Sequence, residues 1–144
     1  MEDPLGIHYI IELYGCKPAI LDDLQKIEDT LNYSADLAGA TIISSKFHKF
    51  SPQGVSGVIV IAESHISIHT WPELGYAALD LYTCNINMDI DKALDYIQVV
   101  FKPEEMIVKY LERGVMDPAK RRFLKVKDYE PNEAFITGGK KWSN

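Results

Sequence analysis

Four strand-length runs follow one another between Thr41 and Cys84, separated only by short turns: "TIISSKFHKF" (41–50), "VSGVIVIA" (55–62), "HISIHTW" (65–71) and "GYAALDLYTC" (75–84). Each is rich in β-branched and aromatic residues or alternates apolar with polar, which is how half-buried strands read. Pro52-Gln53-Gly54 and Pro72-Glu73 mark two of the turns. "IHYIIELY" (7–14) and "EMIVKYLE" (105–112) add a strand on either side of this block. Two stretches have helical spacing instead. One runs over 17–39, with Pro18 in its first turn, an apolar face of Leu21, Leu24, Ile27, Leu31 and Ala35, and Gly39 as its stop. The other runs over 89–101 and turns Ile90, Leu94, Ile97 and Phe101 inward. The order β-α-β-β-β-β-α-β predicts a two-layer α+β sandwich, a mainly antiparallel sheet with two helices on one face. A second face of such a sheet, if much of it is apolar, needs a partner, so a homodimer is expected.

At 144 residues the chain has the size of one domain with a core of its own. No apolar run is long enough to span a membrane, and "MEDPLG" lacks the apolar stretch of a secretory leader. Two cysteines, Cys16 and Cys84, make no disulfide framework and suit a reducing cytoplasm. The net charge of -6 argues against nucleic acid as a partner. Charge is uneven: residues 114–144 hold seven Lys/Arg against four Asp/Glu, leaving -9 on the rest. "AKRRFLKVK" (119–127) reads as a solvated tail or a strap over an acidic neighbour. "PNEAFITGGKKWSN" reads as loose or draped, so the expected division is a domain over 1–114 and a basic tail over 115–144.

One join in the strand block is anomalous. Between "VIVIA" and "HISIH" stands Glu63-Ser64, a tight turn with none of the Gly, Asn or Asp that positive φ favours. Zinc does not explain it: His65 and His69 on a strand lie about 13 Å apart, too far for one ion held at ~2 Å. A Ser64–His69 hydrolase lacks both the G-x-S-x-G elbow and an evident Asp. Polar decoration of a strand explains "HISIHT" but leaves the bare turn unexplained. Peptide-bond chemistry does better. A Ser in a tense turn can attack the preceding carbonyl, convert the amide to an ester, and lose that ester by β-elimination once a base takes its Cα proton. The dehydroalanine left behind hydrolyses to a pyruvoyl group. That sequence needs a Ser, backbone strain, oxyanion donors and a base such as His. Ser64, Ser56, His65 and His69 supply the residue types.

"GVSGVIVIAESHISIHTWPELGYAALDLYTC" (54–84), "LGIHYIIELYGC" (5–16) and "GATIISSKFHKFSPQGVSG" (39–57) together resemble the prokaryotic S-adenosylmethionine decarboxylase proenzymes, in the same order and at compatible spacing. The resemblance covers about Leu5 to Gly114. It implies self-cleavage between Glu63 and Ser64 into a β chain, 1–63, and an α chain, 64–144, with Ser64 becoming the pyruvoyl group that forms the Schiff base with substrate. It implies His69 as processing base, Ser56 as a processing aid, Cys84 as proton donor, Phe50 as an adenine-stacking residue and Glu73 as a ribose-binding one. It also implies sheet-to-sheet dimers with sites at the interface, no metal, and a product that is the aminopropyl donor for spermidine. The pyruvoyl group serves as the electron sink that pyridoxal phosphate is elsewhere. A Cys of ordinary pKa, about 8.5, remains a thiol able to donate at neutral pH, whereas Cys16 reads as structural.

Ile7 departs from the basic residue associated with this family, as in "LGRH", and the tail is longer and more basic than in compact members. The same pyruvoyl chemistry on arginine or ornithine would leave "ESHISIH" intact and is the alternative on the enzyme side. A non-catalytic regulatory partner subunit is the alternative of another class, and the joint presence of Ser64, His69 and Cys84 speaks against it.

Overall fold

The structure, a computed structural model, describes residues 4–130. In chain order the elements are β1 (Gly6–Tyr14), α1 (Pro18–Leu21), α2 (Leu24–Leu37), β2 (Ile42–Lys49), β3 (Val55–Ile61), β4 (Ser64–Trp71), a 3-10 turn (Pro72–Leu74), β5 (Tyr76–Thr83), α3 (Ile90–Phe101), β6 (Glu105–Arg113), α4 (Pro118–Arg121) and β7 (Lys127–Asp128). The strands form one antiparallel sheet in the order β2-β3-β4-β5-β1-β6-β7. The expected α+β sandwich is thus the fold.

Strand alternation makes the layers. Ile59, Ile61, Ile66, Ile68, Leu79, Leu81, Ile11, Leu13, Met106 and Val108 point to one face and are buried. α2 and α3 cover that face with Ile27, Leu31, Ala35, Leu94, Ile97 and Phe101. Each of the two helices starts at an Asp that accepts a backbone N–H three residues on, Asp23 from Lys26 at 3.1 Å and Asp89 from Lys92 at 3.2 Å. α3 ends at Lys102 in the left-handed region, followed by Pro103. Gly57 faces Phe47 across the β2–β3 pair, and a Cβ there would stand 2.0 Å from the Phe47 ring. Only glycine leaves the room that lets this ring lie flat on the sheet.

The opposite face is different in kind. It presents Val58, Val60, His65, Ser67, His69, Trp71, Tyr76, Asp80, Tyr82, His8, Glu12 and Tyr14, with Val58, Val60, Trp71 and Tyr14 each about two-fifths exposed. Its polar groups are partly matched to one another, as where His8 Nε2 meets Asp80 Oδ1 at 2.9 Å.

Three expectations change. The helix over 17–39 is broken at Asp22-Asp23. The Asp22 carboxylate is turned aside to accept the Gly54 N–H at 2.9 Å and to meet Lys49 at 3.4 Å, and Asp23 caps a new helix. The β3–β4 turn is Ala62-Glu63 rather than Glu63-Ser64, because Ser64 already pairs with Ile61. The tail holds a short strand that its sequence does not announce. Residues 127–128 extend the sheet beside β6, Lys109 pairs with Asp128, and the Tyr129 hydroxyl donates to Asp91 Oδ1 at 2.6 Å. Residues 131–144 of that tail lie outside the described residues.

Candidate active site

Two groups of predicted residues stand at opposite ends of β4. At its start, Ser64 has φ 147. This is a region that side-chain-bearing residues avoid, and occupying it costs about 1–3 kcal/mol. The strain falls on the residue that the sequence singled out. Its neighbours hold the preceding peptide firmly. The Glu63 carbonyl oxygen accepts the Cys84 N–H at 2.9 Å, the Glu63 carboxylate accepts the Thr41 N–H at 3.0 Å, and the Ala62 N–H donates to the Thr41 carbonyl at 2.8 Å. Cys84 reaches this position because Thr83 is the sheet partner of Ser64 and Cys84 is the next residue. Beyond it, the Thr83 hydroxyl accepts the Asn85 N–H at 2.9 Å and turns the chain away. Cys84 is exposed, whereas Cys16 is buried and desolvation pushes its thiol up to about 11. The arrangement combines a hydroxyl next to a carbonyl, a backbone donor on that carbonyl's oxygen, and an exposed thiol on the residue that supplies this donor. It suits an acyl shift at residue 63.

At the other end of β4, Ser56 and His69 are register partners, and Ser56 Oγ lies 2.8 Å from His69 Nδ1. They line a cleft of about 360 Å³ with Phe50, Gln53, Trp71 and Glu73. Gln53 donates to the Glu73 carboxylate at 3.2 Å, and the Phe50 N–H closes its loop on the Gly54 carbonyl at 2.8 Å. The loop is anchored from outside. The Gly54 N–H first, and Lys49 after it, hold the Asp22 carboxyl below its ordinary value against the opposing effect of burial. Glu73 lies in the 3-10 turn, which closes at Gly75 with φ 64. A Cβ on Gly75 would also stand 2.9 Å from the Cys16 carbonyl oxygen, so both conformation and space demand glycine there. Phe50 and Glu73, distant from the strands' core pattern, are thus brought together with Ser56 and His69. Sequence reasoning missed Trp71 and Gln53. The alternation that sends His69 to the open face also sends Trp71 there, and Gln53 sits in the turn next to Phe50.

Ser64 and His69 are not brought together within one chain. They stand five residue steps apart along β4, about 17 Å at the usual rise. The antiparallel register pairs Ser56 with the far end of β4, away from Ser64.

A self-processing α+β enzyme domain is the class that this fold and site suggest. The family described as S-adenosylmethionine decarboxylase matches residues 7–114. Among curated relatives, the chain is 48% identical over 120 residues to the S-adenosylmethionine decarboxylase proenzyme of Syntrophomonas wolfei, covering 83% of this chain and 95% of the relative. It is 50% identical over 113 residues to the proenzyme of the same name from Pyrococcus horikoshii, covering 78% and 81%. The crystal structure of the adenosylmethionine decarboxylase from Aquifex aeolicus superposes with a TM-score of 0.72 at 38% identity, covering 79% of this chain and 94% of that one. The chain belongs to the S-adenosylmethionine decarboxylase family. The matched segment stops at residue 114, so α4 and β7 lie beyond it.

Proposed function

We propose that this chain cleaves itself at Glu63-Ser64 to create a pyruvoyl group and then decarboxylates S-adenosylmethionine. The observation that carries the processing step is Ser64 at φ 147, directly after a carbonyl that the Cys84 N–H already engages. Ser64 Oγ attacks that carbonyl carbon, and the oxyanion forms where the Cys84 N–H points. Collapse breaks the C–N bond and leaves an ester between Glu63 and Ser64 Oγ, with a free amine on residue 64. Removal of the Cα proton expels the Glu63 carboxylate. The resulting enamine tautomerises, takes up water and loses ammonia, which gives the pyruvoyl group.

The base for the Cα proton is His69. With its Nδ1–H donating to Ser56 Oγ, its Nε2 keeps a lone pair. Since about 17 Å separates Ser64 from His69 along β4, the base at each Ser64 is His69 of the partner subunit. A two-fold axis lying between two open faces, across the strands, lays the Ser64 end of one β4 over the His69 end of the other. Self-complementary packing of the mixed aromatic and polar face then forms a homodimer with two sites at its interface.

When formed, the pyruvoyl group supplies the electron sink for loss of carbon dioxide. The chain's own residues do the rest. Phe50 and Trp71 form aromatic walls for the adenine and an attraction for the sulfonium cation. Glu73, steadied by Gln53, accepts from the ribose hydroxyls. Cys84, exposed beside the cleavage point, delivers the proton that replaces the carboxylate. A donor that must stay a thiol suits a reducing cytoplasm. The aromatic walls and the carboxylate favour a nucleoside substrate over bare arginine or ornithine.

Two measurements on purified protein test this. Intact mass should resolve two chains, 1–63 and 64–144, the second blocked at its N-terminus. A single uncleaved species after long incubation would support the regulatory-subunit reading. Release of carbon dioxide should follow S-adenosylmethionine; release from arginine or ornithine but not from S-adenosylmethionine would overturn the substrate.

A further inference from the structure

Glu12 lies on β1 and has no part in the chemistry above. The register nevertheless places it in one cross-strand row with Ala78, His69 and Ser56. Its Oε2 is a hub: the Tyr76 hydroxyl donates to it at 2.6 Å and the Tyr14 hydroxyl at 3.1 Å. Tyr14 and Tyr76 stack with centroids 5.3 Å apart, and Trp71 continues the stack on Tyr76, again at 5.3 Å and tilted by 30°. Trp71 and Tyr76 are also the register pair that closes the turn carrying Glu73. A continuous line of contacts therefore runs from a β1 carboxylate through two phenols to an indole in the cleft wall.

Trp71 needs such support. It is 41% exposed, so burial alone does not hold its ring. An offset ring contact contributes only about 0.5–1.5 kcal/mol, and does so only while the supporting ring stays in place. Tyr76 is kept in place at its far end by Glu12. Burial first, and then the bond to Glu12, raise the Tyr76 phenol well above its ordinary range, so it remains a donor at any working pH.

We infer that Glu12 is a positioning residue: by holding the hydroxyls of Tyr76 and Tyr14 it sets the angle of the Trp71 wall against which the substrate's flat ring rests. The inference deepens the cleft reading given under the proposed function and rests on it.

Steady-state kinetics on processed protein separate the possibilities. Tyr76→Phe keeps the stack and removes its tether, and Glu12→Leu removes the shared acceptor. Each should raise KM about five-fold, as loss of one ordinary hydrogen bond does, with kcat within about two-fold of the parent. Glu12→Gln keeps an acceptor oxygen and should restore most of the KM. In a Trp142→Phe background, Glu12→Leu should lower the fluorescence anisotropy of Trp71. Trp71→Ala is the control and should raise KM further than any of them. If Trp71→Ala leaves KM unchanged, the cleft reading falls and the inference with it. If Trp71→Ala raises KM but Tyr76→Phe and Glu12→Leu do not, the inference alone is overturned. Equal losses in kcat and kcat/KM with no rescue by Glu12→Gln would mark a general structural role and also overturn it. Should Glu12→Leu fail to fold, Tyr76→Phe, one oxygen smaller, carries the test by itself.

Discussion

The backbone N–H of Cys84 donates to the carbonyl oxygen of Glu63 across 2.9 Å. One residue thereby carries two groups with separate proposed roles, an amide on the carbonyl where the proposed attack falls and a thiol proposed as the proton donor. The two roles separate cleanly under mutation, since the amide survives any side-chain change other than to proline. Cys84→Ala should still cleave to 1–63 and 64–144 by intact mass, yet lose most of its decarboxylation. Ser64→Ala should stay full length, and cleavage of that variant at the same bond would remove the mechanism.

The unusual backbone at Ser64 has a thermodynamic signature. Ser64→Ala and Ser64→Gly both lack the hydroxyl and stay uncleaved, but only glycine accepts φ 147 without strain. Relief of about 1–3 kcal/mol, less the roughly 0.5–1 kcal/mol entropy cost of glycine, leaves on the order of 1 kcal/mol. Ser64→Gly should therefore melt about 3 °C above Ser64→Ala. A lower or equal midpoint would mean that the turn is not under load.

The proposed assembly of a site from two subunits predicts complementation. His69→Ala alone should stall in processing. Co-expressed with Ser64→Ala, it should be cleaved, because the mixed dimer contains one site with both Ser64 and His69. Absence of cleavage in a preparation shown to contain the mixed dimer would put the base in the same chain as the serine.

The two thiols should behave differently. In the native protein at pH 8, a thiol reagent should label Cys84 and leave Cys16 intact until denaturant is added. Cys16 also has a stability consequence. Its folded value is raised from 9.0 to about 11, so between those values the unfolded chain releases a proton that the folded one retains. The stabilisation is whole below pH 9 and is lost as pH rises toward 11. Thermal midpoints at pH 8 and pH 10.5 should differ less for Cys16→Ala than for the parent; an equal difference would exclude the thiol as the cause.

Thr70 links the cleft to the helix layer. Its hydroxyl donates to the Leu21 carbonyl at 2.7 Å and accepts the Val55 N–H at 2.9 Å. Thr70→Val keeps the shape and strands both backbone groups, so urea denaturation should show a loss of about 1–3 kcal/mol with an unchanged m-value.

What the sequence determined by itself was everything with a local period or a covalent neighbour. The alternation in "HISIHTW" set β4 and its faces, the spacing of Ile90, Leu94, Ile97 and Phe101 set the buried side of α3, and Glu63-Ser64 stood out because the turn residues were wrong. What required the tertiary structure was everything decided by pairing between distant segments. β1, first in the chain, lies between β5 and β6, and this alone puts Glu12 within reach of Tyr76. The break at Asp22-Asp23 was hidden because helical spacing continues through it, while the Gly54 N–H that draws Asp22 aside comes from 32 residues away. The tail concealed β7 for a similar reason. Two strand residues carry no period, and only the edge of β6 gives them a partner. The antiparallel register holds Ser64 and His69 apart, a distance that five letters of sequence do not convey, and by doing so it makes the second subunit part of the proposed site.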